Sequence, residues 1–317
     1  MQSGRISTDV RLNKVTVQPA HRSRVLPPAV RRYLTFFVLV APMVVLRLST
    51  TAYPVFRTFY LSFRDNSLLS GTNEYIGLGN FRAMRTDFNI RSSIEYTIIF
   101  VVGSTLLELV LGLLVALLLN AKYRGRAVAR SINLIPWAIP PIVAAFAFRW
   151  LLDDQFGLIT HWIDVLTGTR IAPLSVAFDA RLSLILVNVW KNAPFMAVVF
   201  LAGLQGVPDD LYEAAKVDGA NSFQRFWAIT FPLLLPLLIA QGMFFVVWQL
   251  SAFDLIYGLT AGGPGVATVT LSLRIFQEGL IFFKYGFASA VSVVLMWLVA
   301  IVGVIGLTYF RRREVNL

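Results

Sequence analysis

The chain contains no cysteine in its 317 residues. That excludes a disulfide framework, a thiolate metal site and a cysteine nucleophile. Histidine is nearly as scarce, with His21 and His161 the whole supply, too few for a histidine-based metal cluster. Charge is thin as well: Asp, Glu, Lys and Arg make up 14% of the residues, against about 25% in an ordinary soluble domain. The phosphate-binding pattern GxxxxGK[ST] is missing, so the chain is not a P-loop ATPase. What it has in excess is apolar side chain, 57% of the residues, with a mean hydropathy of +0.69. A soluble domain of this size cannot hide that much apolar surface. Disorder and a fibrous fold call for the opposite composition. On so apolar a chain, the net charge of +11 reports the loops of a polytopic membrane protein and not a nucleic-acid partner.

A helix needs about 20 mainly apolar residues to cross the hydrocarbon core. Six runs qualify: 33–61, 93–119, 128–152, 182–204, 233–257 and 286–310. They lack the strict alternation of barrel strands, so the expected fold class is an all-α integral membrane protein with six transmembrane helices. Residues 1–32 form a polar, basic tail without the apolar core of a cleaved signal. Span one then serves as an uncleaved anchor. The expected organisation is that tail, a membrane domain over 33–310 and a short tail over 311–317. Lys and Arg number 16 on the side holding both termini and 8 on the other, which places both termini in the cytoplasm. Arg311, Arg312 and Arg313 directly after span six support this orientation. Pro42 and Pro54 in span one, and Pro136, Pro140 and Pro141 in span three, read as kinks.

The segment 207–236 has helical grammar instead of loop grammar. Asp209 or Asp210 can cap an N-terminus, with Glu213 completing a capping box. Gly219 suits the left-handed position after a helix. Asn221 or Ser222 can cap a second helix, and Pro232 marks the start of span five. The expected product is a helix–turn–helix at the cytoplasmic membrane face.

Polar residues at membrane depth form a second group of candidates. Asn188, Lys191, Asn192 and Phe195 are spaced 0, 3, 4 and 7 along span four, so they share one helical face. Amides and a cation beside an aromatic ring suit a sugar, whose hydroxyls need donors and acceptors and whose ring faces stack on aromatics. Trp248 and Gln249 lie at matching depth in span five. The competing reading is interhelical glue. Glu108 in span two suggests an interhelical hydrogen bond or a partial proton; no second carboxylate stands a turn away in that span to make a relay. Arg47 can snorkel outward. Asp254 either faces the pathway or caps the following loop.

Glu213-Ala214-Ala215, three residues, Gly219, nine residues, Ile229, one residue, Phe231-Pro232 resembles the EAA loop of importer-type ABC transporter permeases. Phe231 stands where Leu is usual. Asp218 and Ala220 give the DGA form typical of carbohydrate-uptake members. Leu259-Thr260-Ala261-Gly262-Gly263-Pro264 with Thr268, and Ile76-Gly77-Leu78-Gly79-Asn80-Phe81, resemble two further stretches of the first membrane subunit of maltose-type systems. Asn188-Val189-Trp190-Lys191-Asn192-Ala193-Pro194-Phe195 resembles the stretch where such transporters contact sugar.

The resemblance implies a type I ABC importer permease fold with a cytoplasmic coupling helix. Glu213, Ala214, Ala215, Asp218, Gly219, Ile229 and Pro232 would form the ATPase-coupling loop. Asn188, Lys191, Asn192, Phe195, Phe245, Trp248 and Gln249 would bind substrate. The chain would catalyse nothing and hold no cofactor, since ATP and Mg would bind to the partner ATPase. Implied partners are a second EAA-loop permease, two ATPase subunits, an extracytoplasmic substrate-binding protein, a sugar and the lipid bilayer of a bacterial or archaeal cytoplasmic membrane. The expected substrate is a di- or oligosaccharide, with a phosphorylated polyol such as glycerol 3-phosphate as the alternative. A secondary transporter would need internal repeats and coupling carboxylates, and neither is visible.

Overall fold

Length and hydropathy decide which helices cross. A computed structural model describes residues 27–314. Residues 1–26 of the basic tail and 315–317 at the other end lie outside the described residues. Five helices are long and apolar enough to span a bilayer: Thr35–Ser62, Phe88–Asn120, Ala177–Gln205, Ser222–Leu250 and Tyr285–Tyr309. A bent pair, Arg126–Ala138 and Pro141–Leu151, meets at 90° and makes six if counted as one crossing.

Span three is broken where a kink was expected, and the sequence explains why. A residue before proline is pushed out of the helical region. Ile139 precedes Pro140 and is extended at φ −71°, ψ 130°; Pro140 precedes Pro141 and is extended at φ −54°, ψ 137°. Two consecutive pre-proline positions therefore end one helix at Ala138 and let the next start at Pro141.

Span five departs from its expected limits of 233–257. It begins at Ser222 and ends at Leu250, and a separate short helix follows over Asp254–Thr260. Pro232 does not mark its start. A wide turn over Phe226–Thr230, in which the Phe231 N–H reaches Phe226 O, carries the helix up to the proline. Such a turn accommodates the ring and the missing donor. The second helix of the expected helix–turn–helix is thus fused to span five.

The chain divides into residues 1–54 and 55–317. In the first, helix Pro28–Arg47 runs into another wide turn, Leu48–Ala52, two residues before Pro54. Ser49 and Thr50 donate their hydroxyls to Leu46 O at 3.0 and 2.7 Å.

In the second, spans two and four pack along their length. Gly112 allows the closest approach, because a Cβ there would lie 2.7 Å from the Cβ of Met196. One apolar cluster holds Tyr96, Phe100, Leu184, Val189 and Leu250; another holds Ala116, Met196, Phe200, Leu234 and Phe245. Glu108, Asn188, Asn192 and Gln249 are buried on the same three spans.

The connector after span one is not wholly irregular. Arg64–Ser67 and Thr72–Tyr75 form an antiparallel hairpin, with Arg64 opposite Tyr75. Asn80 explains part of the Ile76–Phe81 motif: its Nδ2 donates to Ser62 O at 2.9 Å and Arg64 O at 2.8 Å. The Leu259–Thr268 motif closes on itself. Thr268 Oγ1 reaches Gly263 O at 2.7 Å and Thr260 Oγ1 at 2.8 Å, and Thr268 N–H reaches Gly262 O at 3.1 Å.

Candidate functional site: a mid-bundle cavity and a loop helix

A cavity of about 560 Å³ lies where the break in span three faces spans four and five. Five of the seven expected substrate residues line it: Asn188, Lys191, Asn192, Trp248 and Gln249. Phe195 and Phe245 do not. Phe195 stacks behind Trp137 with ring centroids 5.0 Å apart, and Phe245 is buried in the second apolar cluster, 6.3 Å from Phe195. Trp248 is 58% exposed and offers its ring to the cavity beside Phe244. Asp254 is exposed and lines the same space.

The amides are not idle donors. Glu108, 0% exposed, accepts from Asn188 Nδ2 at 3.0 Å, from Asn192 Nδ2 at 3.2 Å and from Gln249 Nε2 at 2.9 Å through Oε1, and from the same Gln249 nitrogen at 3.1 Å through Oε2. Asn188, Asn192 and Gln249 are 4%, 7% and 2% exposed. One acidic side chain from span two therefore binds two residues of span four and one of span five. Glu108 makes the interhelical hydrogen bonds expected of it. Lys191 has a different task. Its Nζ donates to Trp137 O at 3.1 Å and Ile139 O at 2.6 Å, meeting carbonyls that the break in span three frees.

Sequence reasoning missed Glu108 as the hub, and it missed Trp137 and the Pro140–Pro141 wall of the cavity. The proximity of spans two, four and five was the missing information. The double proline was the one available signal for a wall.

At the opposite end of spans four and five, helix Asp209–Val217 carries the Glu213-Ala214-Ala215 stretch. The expected capping box is absent. Pro208 occupies the cap without a side-chain bond, and Asp209 and Asp210 lie inside the first turn, where they favour the helix through its dipole. The box forms instead at the next helix: Gln224 N–H donates to Asn221 Oδ1 at 2.9 Å, and Asn221 N–H donates to Gln224 Oε1 at 2.8 Å. Gly219 is left-handed at φ +79°. Its N–H reaches Lys216 O and that of Ala220 reaches Ala215 O, the bond pair of a Schellman turn.

Glu213, Ala214, Asp218, Gly219 and Pro232 are exposed; Ala215 and Ile229 are half-buried. Among the described residues Glu213 and Asp218 make no ion pair. Tyr212 Oη lies 2.9 Å from Thr230 Oγ1 and ties the loop helix to the wide turn at the start of span five.

Apolar helices of spanning length around a cavity that includes buried polar side chains, with a short exposed helix at one end, suit a multi-pass membrane transport protein. A family model described as "Binding-protein-dependent transport system inner membrane component" matches residues 108–315. The chain belongs to that family.

It is 36% identical over 263 residues to the trehalose/maltose transport system permease protein MalF of Thermococcus litoralis, covering 83% of this chain and 89% of the relative. It is 35% identical to the sulfoquinovosyl glycerol transport system permease protein SmoG of Agrobacterium fabrum (87% and 90% covered). It is 32% identical to the sn-glycerol-3-phosphate transport system permease protein UgpA of the same organism (88% and 94% covered). A chain of a bacterial ABC transporter involved in import of the acidic polysaccharide alginate shares the fold, with a TM-score of 0.79 at 22% identity over 90% of this chain and 97% of that one. The fold is that of a type I ABC importer permease, and the family is one of transport permease subunits.

Proposed function

We propose that the chain moves a sugar through the cavity between spans three, four and five, driven by a separate ATPase that docks on helix Asp209–Val217. The observation that carries this reading is Trp248, an exposed ring on a cavity also lined by Asn188, Asn192 and Gln249. Sugars are held by such a pairing of aromatic face and directional polar groups. The cavity suits one or two hexose rings, in the range of ordinary small-molecule sites, and the 36% identity to a trehalose/maltose permease supports the same class.

The partners in this reading are a second permease, two ATPase subunits carrying ATP and Mg, and a binding protein outside. A related alginate importer has been seen in complex with its ligand-bound periplasmic protein. Both termini and the loop helix face the cytoplasm, from the 16-to-8 asymmetry of Lys and Arg.

The test is uptake of labelled maltose and trehalose by vesicles containing the whole transporter. Uptake should require both ATP and the loaded binding protein. Uptake that follows an ion gradient without ATP would overturn the reading.

A further inference from the structure

We propose that a groove between span four, the second half of span three and helix Leu158–Thr167 holds one acyl chain of a phospholipid, with an ethanolamine headgroup at its mouth. The groove encloses about 340 Å³ and shares no lining residue with the cavity described above. Its walls are apolar: Phe148 of span three, Ile159 and Ile163 of the short helix, and Leu182, Leu186 and Trp190 of span four. Asp179 is the one ionisable side chain that lines it.

Depth points to the occupant. Asp179 stands in the first turn of span four, and Trp190 stands next to its midpoint. The helical rise between them is about 16 Å, and one leaflet supplies half of a hydrocarbon core about 30 Å thick. The groove therefore runs from headgroup level to the bilayer centre, as an acyl chain does. Trp190 meets Phe148 edge-on, with ring centroids 4.8 Å apart, and closes the deep end. Phe178, Leu182, Leu186 and Trp190 recur every four residues and are all exposed, so an apolar stripe of span four opens through the groove onto the bilayer.

Charge selects the headgroup. Residues 153–181 carry four Asp against two Arg, and Arg181 is spent on Ala267 O at 2.8 Å. Asp179 makes no ion pair among the described residues. Exposed Arg170 directly precedes Ile171, which lines the groove. A protonated ethanolamine can give its N–H groups to Asp179 while its phosphate meets Arg170. Phosphatidylglycerol brings the phosphate without a cation and meets an acidic surplus.

The test is photo-crosslinking of the assembled transporter in vesicles of phosphatidylethanolamine and phosphatidylglycerol. The probe is phosphatidylethanolamine with a diazirine midway along one acyl chain, and labelled peptides are read by mass spectrometry. Label on residues 182–190 is divided by the higher of the labels on Ile98 and Ile301, which are exposed on spans two and six and report ordinary boundary lipid. The ratio should exceed unity several-fold. It should be lower by a few-fold, the size of one exposed ion pair, when phosphatidylglycerol carries the diazirine, and Asp179→Asn should remove the difference between the two probes. Leu186→Trp, which puts a larger ring on the groove wall, should bring the ratio to unity. A ratio at or below unity for the phosphatidylethanolamine probe in the unchanged chain overturns the site, whether boundary lipid exchanges freely there or a helix of the second permease covers it. Equal ratios for the two probes in that chain overturn the headgroup assignment.

Discussion

Glu108 gathers donors from two other spans, so its loss strands three amides at once. A stranded buried polar group costs about 1–3 kcal/mol, although interspan hydrogen bonds in bilayers average nearer 0.6 kcal/mol. Glu108→Ala should therefore lower the thermal midpoint of the detergent-solubilised transporter by more than Asn188→Ala does. Equal midpoints for wild type and Glu108→Ala would show that the cluster carries no stability. At this scale the sequence was partly legible. The spacing of Asn188, Lys191 and Asn192 placed them on one face, and the cavity lies along it. The same periodicity included Phe195, which turns to Trp137 instead. Periodicity names a face, but only the position of the broken span three decides which part of that face is open.

Among elements, the joint between loop helix and span five is the informative one. Gly219 was legible because only glycine adopts φ +79° without strain. The Tyr212–Thr230 bond was not, since the wide turn that brings Thr230 within 2.9 Å of Tyr212 has no sequence signature. Gly219→Val should cost about 1–3 kcal/mol of local strain and abolish ATP-coupled uptake while membrane insertion survives. Normal substrate-stimulated ATP hydrolysis in that variant would contradict a coupling role. Tyr212→Phe removes one hydrogen bond of about 0.5–1.5 kcal/mol. It should reduce uptake per ATP hydrolysed a few-fold, and an unchanged ratio would leave the bond purely structural. Gly112→Val belongs to this scale too. A side chain forced against Met196 should cost about 1–3 kcal/mol, read as a lower thermal midpoint; wild-type stability would show that spans two and four can separate freely.

For the molecule as a whole, the six apolar runs overlap the five helices of spanning length and the bent pair found among the described residues, because a bilayer imposes length and composition on each span. Hydropathy misplaced the ends of span five, which hydrogen bonding and proline set and hydropathy does not. Orientation is testable through Ser222, an exposed residue at the N-terminus of span five. A cysteine there should resist a membrane-impermeant thiol reagent in intact cells and react after permeabilisation; labelling in intact cells would invert the topology. The central claim, that the cavity is the transport path, rests most directly on Trp248. Its ring is 58% exposed, so Trp248→Ala should spare the fold. Stacking and burial of a sugar face on an aromatic ring contribute on the order of 1–3 kcal/mol, roughly tenfold or more in affinity. The measurement is ATP hydrolysis and sugar uptake in the same vesicles with loaded binding protein. The account predicts hydrolysis within about twofold of wild type, since the loop helix is untouched, and a loss of uptake of roughly tenfold. Wild-type uptake across a full substrate titration in Trp248→Ala would contradict it.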